Sequence, residues 1–147
     1  MWRSSGWGLV NGDWRMSDLA RDNLLDHYEN PRHHDALGQV DGVFEDSNPI
    51  CGDRVRIEVQ LSDDQAALAA AAFTGDGCII SQATTSMLLD DSVGKLVASI
   101  NELEPQYVLK LIGVPLTAQR VKCALLSFKV LKGALADAQV RKNMPLA

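Results

Sequence analysis

The chain has 147 residues, 46% hydrophobic and 22% charged, which allows one globular domain with its own core and argues against disorder. Lys and Arg number 14 and Asp and Glu 19, a net charge of −5 with no basic run, so neither a nucleic acid nor a membrane is an expected partner. The longest uncharged stretch, Gly77 to Leu89, is too short to span a bilayer, and three cysteines without an apolar leader argue against a disulfide framework. The expected location is the reducing cytoplasm.

In chain order, residues 1–16 hold all three Trp among Gly, Ser and Asn without periodicity, and read as a flexible N-terminal extension. Ser17 or Asp18 can cap a helix reaching about Asn30, with Ala20, Leu24 and Tyr28 as its buried stripe and Pro31 as its stop. A polar loop over 31–39 leads to a strand over Val40–Glu45, broken at Asn48-Pro49. Val55, Ile57, Val59 and Leu61 then alternate with Arg54, Arg56, Glu58 and Gln60, giving a strand with one buried and one wet face. After the turn Ser62–Gln65, the Ala-rich run Leu68–Thr74 has helical propensity, but the Gly75 stop and the spacing favour a third strand.

From Gly77 onward the pattern is helical. Ile80, Ala83 and Met87 share one face. A second helix opens near Asn101 or Glu102 with Pro105 in its first turn, and ends at Gly113 and Pro115. The last helix starts at Thr117 or Val121 and runs to Ala138, with Ala124, Phe128, Leu131 and Leu135 inward. The expectation is an α+β fold, a small three-stranded antiparallel sheet packed against four to five helices, in a domain over 17–138 followed by a loose tail over 139–147.

The residues that could carry chemistry are the cysteines. Cys51 lies in the Asn48–Asp53 turn, Cys78 where a strand gives way to a helix, and Cys123 near the start of the last helix beside Arg120 and Lys122. Helix N-termini and nearby cations favour the thiolate, the form that binds metal or attacks sulfur. Free cysteine is equally at home as a small apolar filler, no Cys-x-x-Cys pair exists, and spacing alone does not make three distant thiols converge. Asp53, two residues after Cys51, reads either as an exposed turn aspartate or as a fourth ligand closing a tetrahedron around zinc. A hard carboxylate among soft thiolates makes such a site more exchangeable. His27, His33 and His34 read as solvent-exposed, with no acidic or thiol partner at ligand spacing and no thiol beside them for a hydrolase.

Four segments resemble the iron–sulfur cluster scaffold family of the IscU, NifU N-domain and SufU type: Asp26–Arg32, Asn48–Asp53, Gly77–Met87 and Arg120–Leu125, in the same order and covering about residues 17–138. The resemblance implies that Cys51, Cys78 and Cys123 converge at one exposed end. It implies that Asp53 is a ligand or a modulator of release. It further implies a chain that accepts sulfur from an IscS- or SufS-type cysteine desulfurase, joins it with iron into a transient 2Fe-2S cluster and passes this to recipient apoproteins. Such a chain is a carrier more than an enzyme, and Cys51, on its Gly52-flexible turn, is the better persulfide acceptor.

The resemblance divides between branches. Lys122 stands where the IscU branch has His, and is similar to the SufU branch, whose members bind Zn2+ and act as sulfur acceptors; the alternative function is then a zinc-binding sulfurtransferase partner. Cys78 and Cys123 lie 45 positions apart, which resembles the shorter IscU layout. The chaperone-recognition motif of that branch, Leu-Pro-Pro-Val-Lys, is replaced by Leu116-Thr117-Ala118-Gln119-Arg120.

Overall fold

A computed structural model describes residues 11–50 and 52–143. The elements in chain order are α1 (Asn11–Glu29), β1 (Gly42–Asn48), β2 (Asp53–Leu61), β3 (Leu68–Asp76), α2 (Ile79–Ser92), α3 (Val97–Asn101), α4 (Pro105–Ile112) and α5 (Ala118–Asn143). The strands form one antiparallel sheet in the order β1-β2-β3. This is the expected α+β architecture with five helices among the described residues.

β2 is the central strand of the sheet, and its alternating sequence sets which face is buried. Val55, Ile57, Val59 and Leu61 are buried against the helices, while Arg54, Arg56, Glu58 and Gln60 face outward. Each fully buried Val or Ile contributes roughly 1.5–3 kcal/mol relative to exposure. The Ala-rich run of β3 is a strand despite its helical propensity: eight paired positions with β2 satisfy its backbone, and tertiary pairing outweighs a weak local preference. The other edge of β3 is partly met by the 31–39 loop, where the Phe73 N–H donates to the His33 carbonyl at 2.8 Å.

α2 runs through the middle of the molecule and is buried on nearly every side from Ser81 to Leu89. Several of its inward Ser and Thr side chains bond within the turn or to neighbours, whereas Thr84 Oγ1 and Ser92 Oγ are buried without a hydrogen-bond partner among the described residues. Thr85 Oγ1 donates to the Ser81 carbonyl at 2.7 Å, and Ser81 Oγ to the Cys78 carbonyl at 3.2 Å. α5 lies across β1 and β2, and Gly42 permits that crossing. A Cβ there would meet the Ala134 carbonyl and come within 2.7 Å of the Ala138 Cβ. The Asp137 carboxylate accepts the Val43 N–H at 3.0 Å, and Lys129 pairs with Asp46 at 2.7 Å, fixing the same crossing.

Several boundaries differ from expectation. α1 begins at Asn11, inside the stretch read as an extension, because each residue added to a formed helix gains a hydrogen bond at little cost. α5 continues to Asn143, five residues into the expected tail, helped by the Asp137–Arg141 pair at 3.0 Å and the Lys142–Asp41 pair at 3.3 Å. The short helix α3 lies between the two expected helices. Tyr28 is 42% exposed, and the inward position beside Leu24 belongs to His27 instead. Residues 1–10 and 144–147 and Cys51 lie outside the described residues.

Candidate metal centre

Three elements deliver one polar side chain each to the same end of the molecule. Asp53 is the first residue of β2, Cys78 caps α2, and Cys123 lies in the second turn of α5. A carboxylate oxygen of Asp53 and the two sulfur atoms all lie within 4.8 Å of one another. The placement follows from strand register: Arg54 pairs with Asp76, so Asp53 stands opposite Gly77 just before α2 begins. Cys123 reaches the same point from the third direction because Ala124, Leu131 and Leu135 seat α5 in the core.

Asp53 is 1% exposed, so the reading as an exposed turn aspartate does not hold. The register draws it under α2, where its Oδ1 accepts the Cys78 N–H at 2.9 Å and its Oδ2 lies 3.9 Å from Cys78 Sγ. A carboxylate at that helix end also meets the positive pole of the helix. Cys78 is partly exposed and Cys123 is buried. Cys51 lies outside the described residues; its neighbours Ile50 and Gly52 are both exposed, in the turn whose Gly52 N–H donates to the Asn48 carbonyl at 2.9 Å.

The donors present suit a thiophilic metal. Tetrahedral zinc takes sulfur at about 2.3 Å and carboxylate oxygen at about 2.0–2.2 Å, so its ligand atoms stand roughly 3.3–3.8 Å apart. A set already gathered within 4.8 Å closes on such a centre with side-chain adjustment of about 1 Å. Iron in sulfide clusters accepts the same thiolates. Gly77 adds a constraint of its own: its φ is +141°, and a Cβ there would strike Asp53 Oδ1.

Around this cluster the surface is uneven. Leu24, Leu25 and Tyr28 of α1 face Ile79, Pro115 and Leu116 across an apolar groove that opens onto Cys78, with Arg120 at its rim. Lys122 is exposed and looks the other way, into a depression shared with Asn48, Pro49 and Lys129 beside the Cys51 turn.

The histidines do not join the site, in keeping with the sequence, but two depart from the exposed, partnerless reading: His33 is half-buried with its Nε2 3.2 Å from Asp90 Oδ1, and His27 is buried. It is 6% exposed, its Nδ1 lies 2.8 Å from Ser86 Oγ, and that hydroxyl accepts the Arg32 N–H at 2.9 Å. Burial holds the His27 pKa below its ordinary value, with the Arg32 charge acting the same way. Arg32 also grips Asp26 at 2.6 Å, so the Asp26–Arg32 segment locks the end of α1 to the centre of α2. Sequence reasoning missed this lock and the role of Gly77; the available signal was a glycine directly before the residue that caps a helix.

The family model for the NifU-like N terminal domain matches residues 19–145. The zinc-dependent sulfurtransferase SufU of Bacillus subtilis (strain 168) is 32% identical over 139 residues, covering 82% of this chain and 92% of that protein. The iron-sulfur cluster assembly scaffold protein IscU of Streptococcus pyogenes serotype M1 is 34% identical over 140 residues, covering 82% and 85%. A putative iron-sulfur cluster assembly scaffold protein for the SUF system from Fervidobacterium islandicum AW-1 superposes with a TM-score of 0.64 at 26% identity, covering 78% and 94%.

Proposed function

The chain belongs to the NifU-like N-terminal domain family, and from that membership we propose that it is an iron–sulfur cluster assembly scaffold. In this reading Cys51, Cys78, Cys123 and Asp53 hold the growing 2Fe-2S cluster as cargo. Sulfur comes from a cysteine desulfurase, and recipient apoproteins take the product. The observation that supports it is the gathering of Asp53, Cys78 and Cys123 within 4.8 Å, from three elements far apart in sequence.

The residues divide the work by chemistry. The Cys51 thiolate attacks the outer sulfur of a desulfurase persulfide; a new S–S bond forms, the old one breaks, and the desulfurase cysteine leaves as thiolate. Cys78 and Cys123 supply soft anionic ligands to iron. Asp53 supplies one hard oxygen, which weakens the hold and suits a cluster that must leave. The partial exposure of Cys78 leaves a side from which an acceptor can approach.

A second reading, a zinc-dependent sulfurtransferase, is favoured by Lys122 and by the fit of a Cys3Asp set to tetrahedral zinc. Bound zinc would neutralise the thiolates and hold them ordered. Anaerobic reconstitution with ferrous iron, cysteine, a thiol reductant and a desulfurase separates the two. Equal iron and acid-labile sulfide with a visible spectrum, transferable to an apoprotein, is the expected result. One zinc per chain, no cluster, and faster desulfurase turnover without iron would replace the scaffold reading with the second. In either case Cys51→Ser should lower persulfide loading at least tenfold, measured by mass spectrometry after mixing with the desulfurase; undiminished loading would move the acceptor to another thiol.

A further inference from the structure

We infer that Gly77 is a positioning residue that divides the two oxygens of Asp53, committing Oδ1 to the backbone and leaving Oδ2 as the single oxygen offered to metal. The inference rests on the proposed reading of Asp53, Cys78 and Cys123 as ligands.

Three observations carry it. Oδ1 accepts the Cys78 N–H at 2.9 Å, so it is already engaged by the backbone of the residue that supplies a thiol. Oδ2 lies 3.9 Å from the sulfur of that same residue. The carboxylate can enter this position only because residue 77 has no side chain: a Cβ would strike Oδ1, lie 2.9 Å from Cγ and 3.0 Å from the Asp53 Cα. The φ of +141° is also one that L side chains rarely adopt.

The consequence concerns how the metal is held. A carboxylate free to turn can chelate through both oxygens and raise the coordination number; one pinned through Oδ1 gives a single bond and keeps a four-donor set tetrahedral. Pinning also pre-orients the ligand, so less freedom is lost on binding. Because the pin is the Cys78 amide, the oxygen and sulfur donors move together with the first turn of α2.

The test uses the full chain and two probes, Zn2+ in competition with a chromophoric chelator and Co2+ followed by its d–d absorption. Four proteins are compared: wild type, Gly77→Ala, Asp53→Ala and the double variant. Gly77→Ala should weaken zinc at least tenfold and shift the cobalt bands to those of Asp53→Ala, while adding nothing further in the Asp53→Ala background, where no oxygen remains to be displaced. Unchanged affinity and spectrum in Gly77→Ala would overturn the inference, and so would an equal loss in both backgrounds, which marks a backbone effect. If Gly77→Ala alone fails to fold by circular dichroism, recovery in the double variant supports the inference and continued misfolding overturns it. Wild type that binds neither ion refutes the ligand reading and this inference with it; wild type that binds normally beside an indifferent Gly77→Ala refutes only the role of Gly77.

Discussion

Between α1 and α2, one hydroxyl serves two partners: Ser86 receives the Arg32 N–H and lies 2.8 Å from His27 Nδ1. The charges around the ring are Arg32 and His33, which disfavour its protonation, and Asp26 and Asp90, which favour it; burial outweighs them, and the folded pKa falls below the ordinary value of about 6.5. The unfolded chain therefore takes up the proton first. Stability is full above about pH 6.5 and declines as pH falls from there toward the folded pKa, by at most about 1.4 kcal/mol per pH unit for one proton. Metal-free protein should accordingly have a lower urea midpoint at pH 5.5 than at pH 7.5. His27→Gln, which keeps a hydrogen-bonding group and loses the titration, should flatten that difference. A variant as pH-sensitive as wild type would place the sensitivity elsewhere. No periodicity argument could have assigned this residue inward, because a lone histidine on a helix carries no sign of the hydroxyl that awaits it 59 positions later.

At the scale of elements, α5 and β1 approach as closely as they do because β1 starts with Gly42. A Cβ at that position meets the backbone of α5 itself, which cannot yield as a flexible side chain would. Gly42→Val should destabilise the protein by about 1–3 kcal/mol, the usual range for overpacking, in chemical denaturation. Gly38→Ala, where nothing lies within 4 Å of the added carbon, is the control and should be neutral or slightly stabilising. Equal effects would mean that chain entropy, not the helix crossing, governs Gly42. The register of β2 with β3 has a second consequence, since the pair Arg54–Asp76 sets Asp53 against Gly77 and so aims a buried carboxylate at the first turn of α2. A shift of one residue would turn Asp53 to the opposite face of the sheet and dissolve the donor cluster.

For the whole molecule, the donor cluster ties β2, α2 and α5 together at one end, while the apolar core joins them along their length. A ligand bound there stabilises only the folded state. At a free zinc concentration about 100 times Kd the gain is about 2.7 kcal/mol, which for a chain of this size corresponds to a rise in Tm of roughly 5–10 °C. Differential scanning calorimetry with zinc and with excess chelator measures it, and Cys78→Ser should lose most of the rise. A Tm indifferent to zinc in wild type would sink the metal-site reading at this end. No described helix is long and apolar enough to cross a membrane.

The sequence by itself determined the elements whose stabilisation is periodic. The alternation through Val55, Ile57, Val59 and Leu61 compelled a one-sided strand, and Ala124, Phe128, Leu131 and Leu135 compelled the inward stripe of α5. It also carried the motifs through which Cys51, Asp53, Cys78 and Cys123 were singled out, and the family to which they point. The tertiary structure alone decided what depends on long-range register. It decided that Asp53 and Cys78, 25 positions apart, share a hydrogen bond, that Cys123 stands within reach of both, and that Gly77 has to be bare. Local propensity acts over a few residues, whereas a site built from a strand start and two helix starts exists only once the sheet register and the helix packing have closed around it.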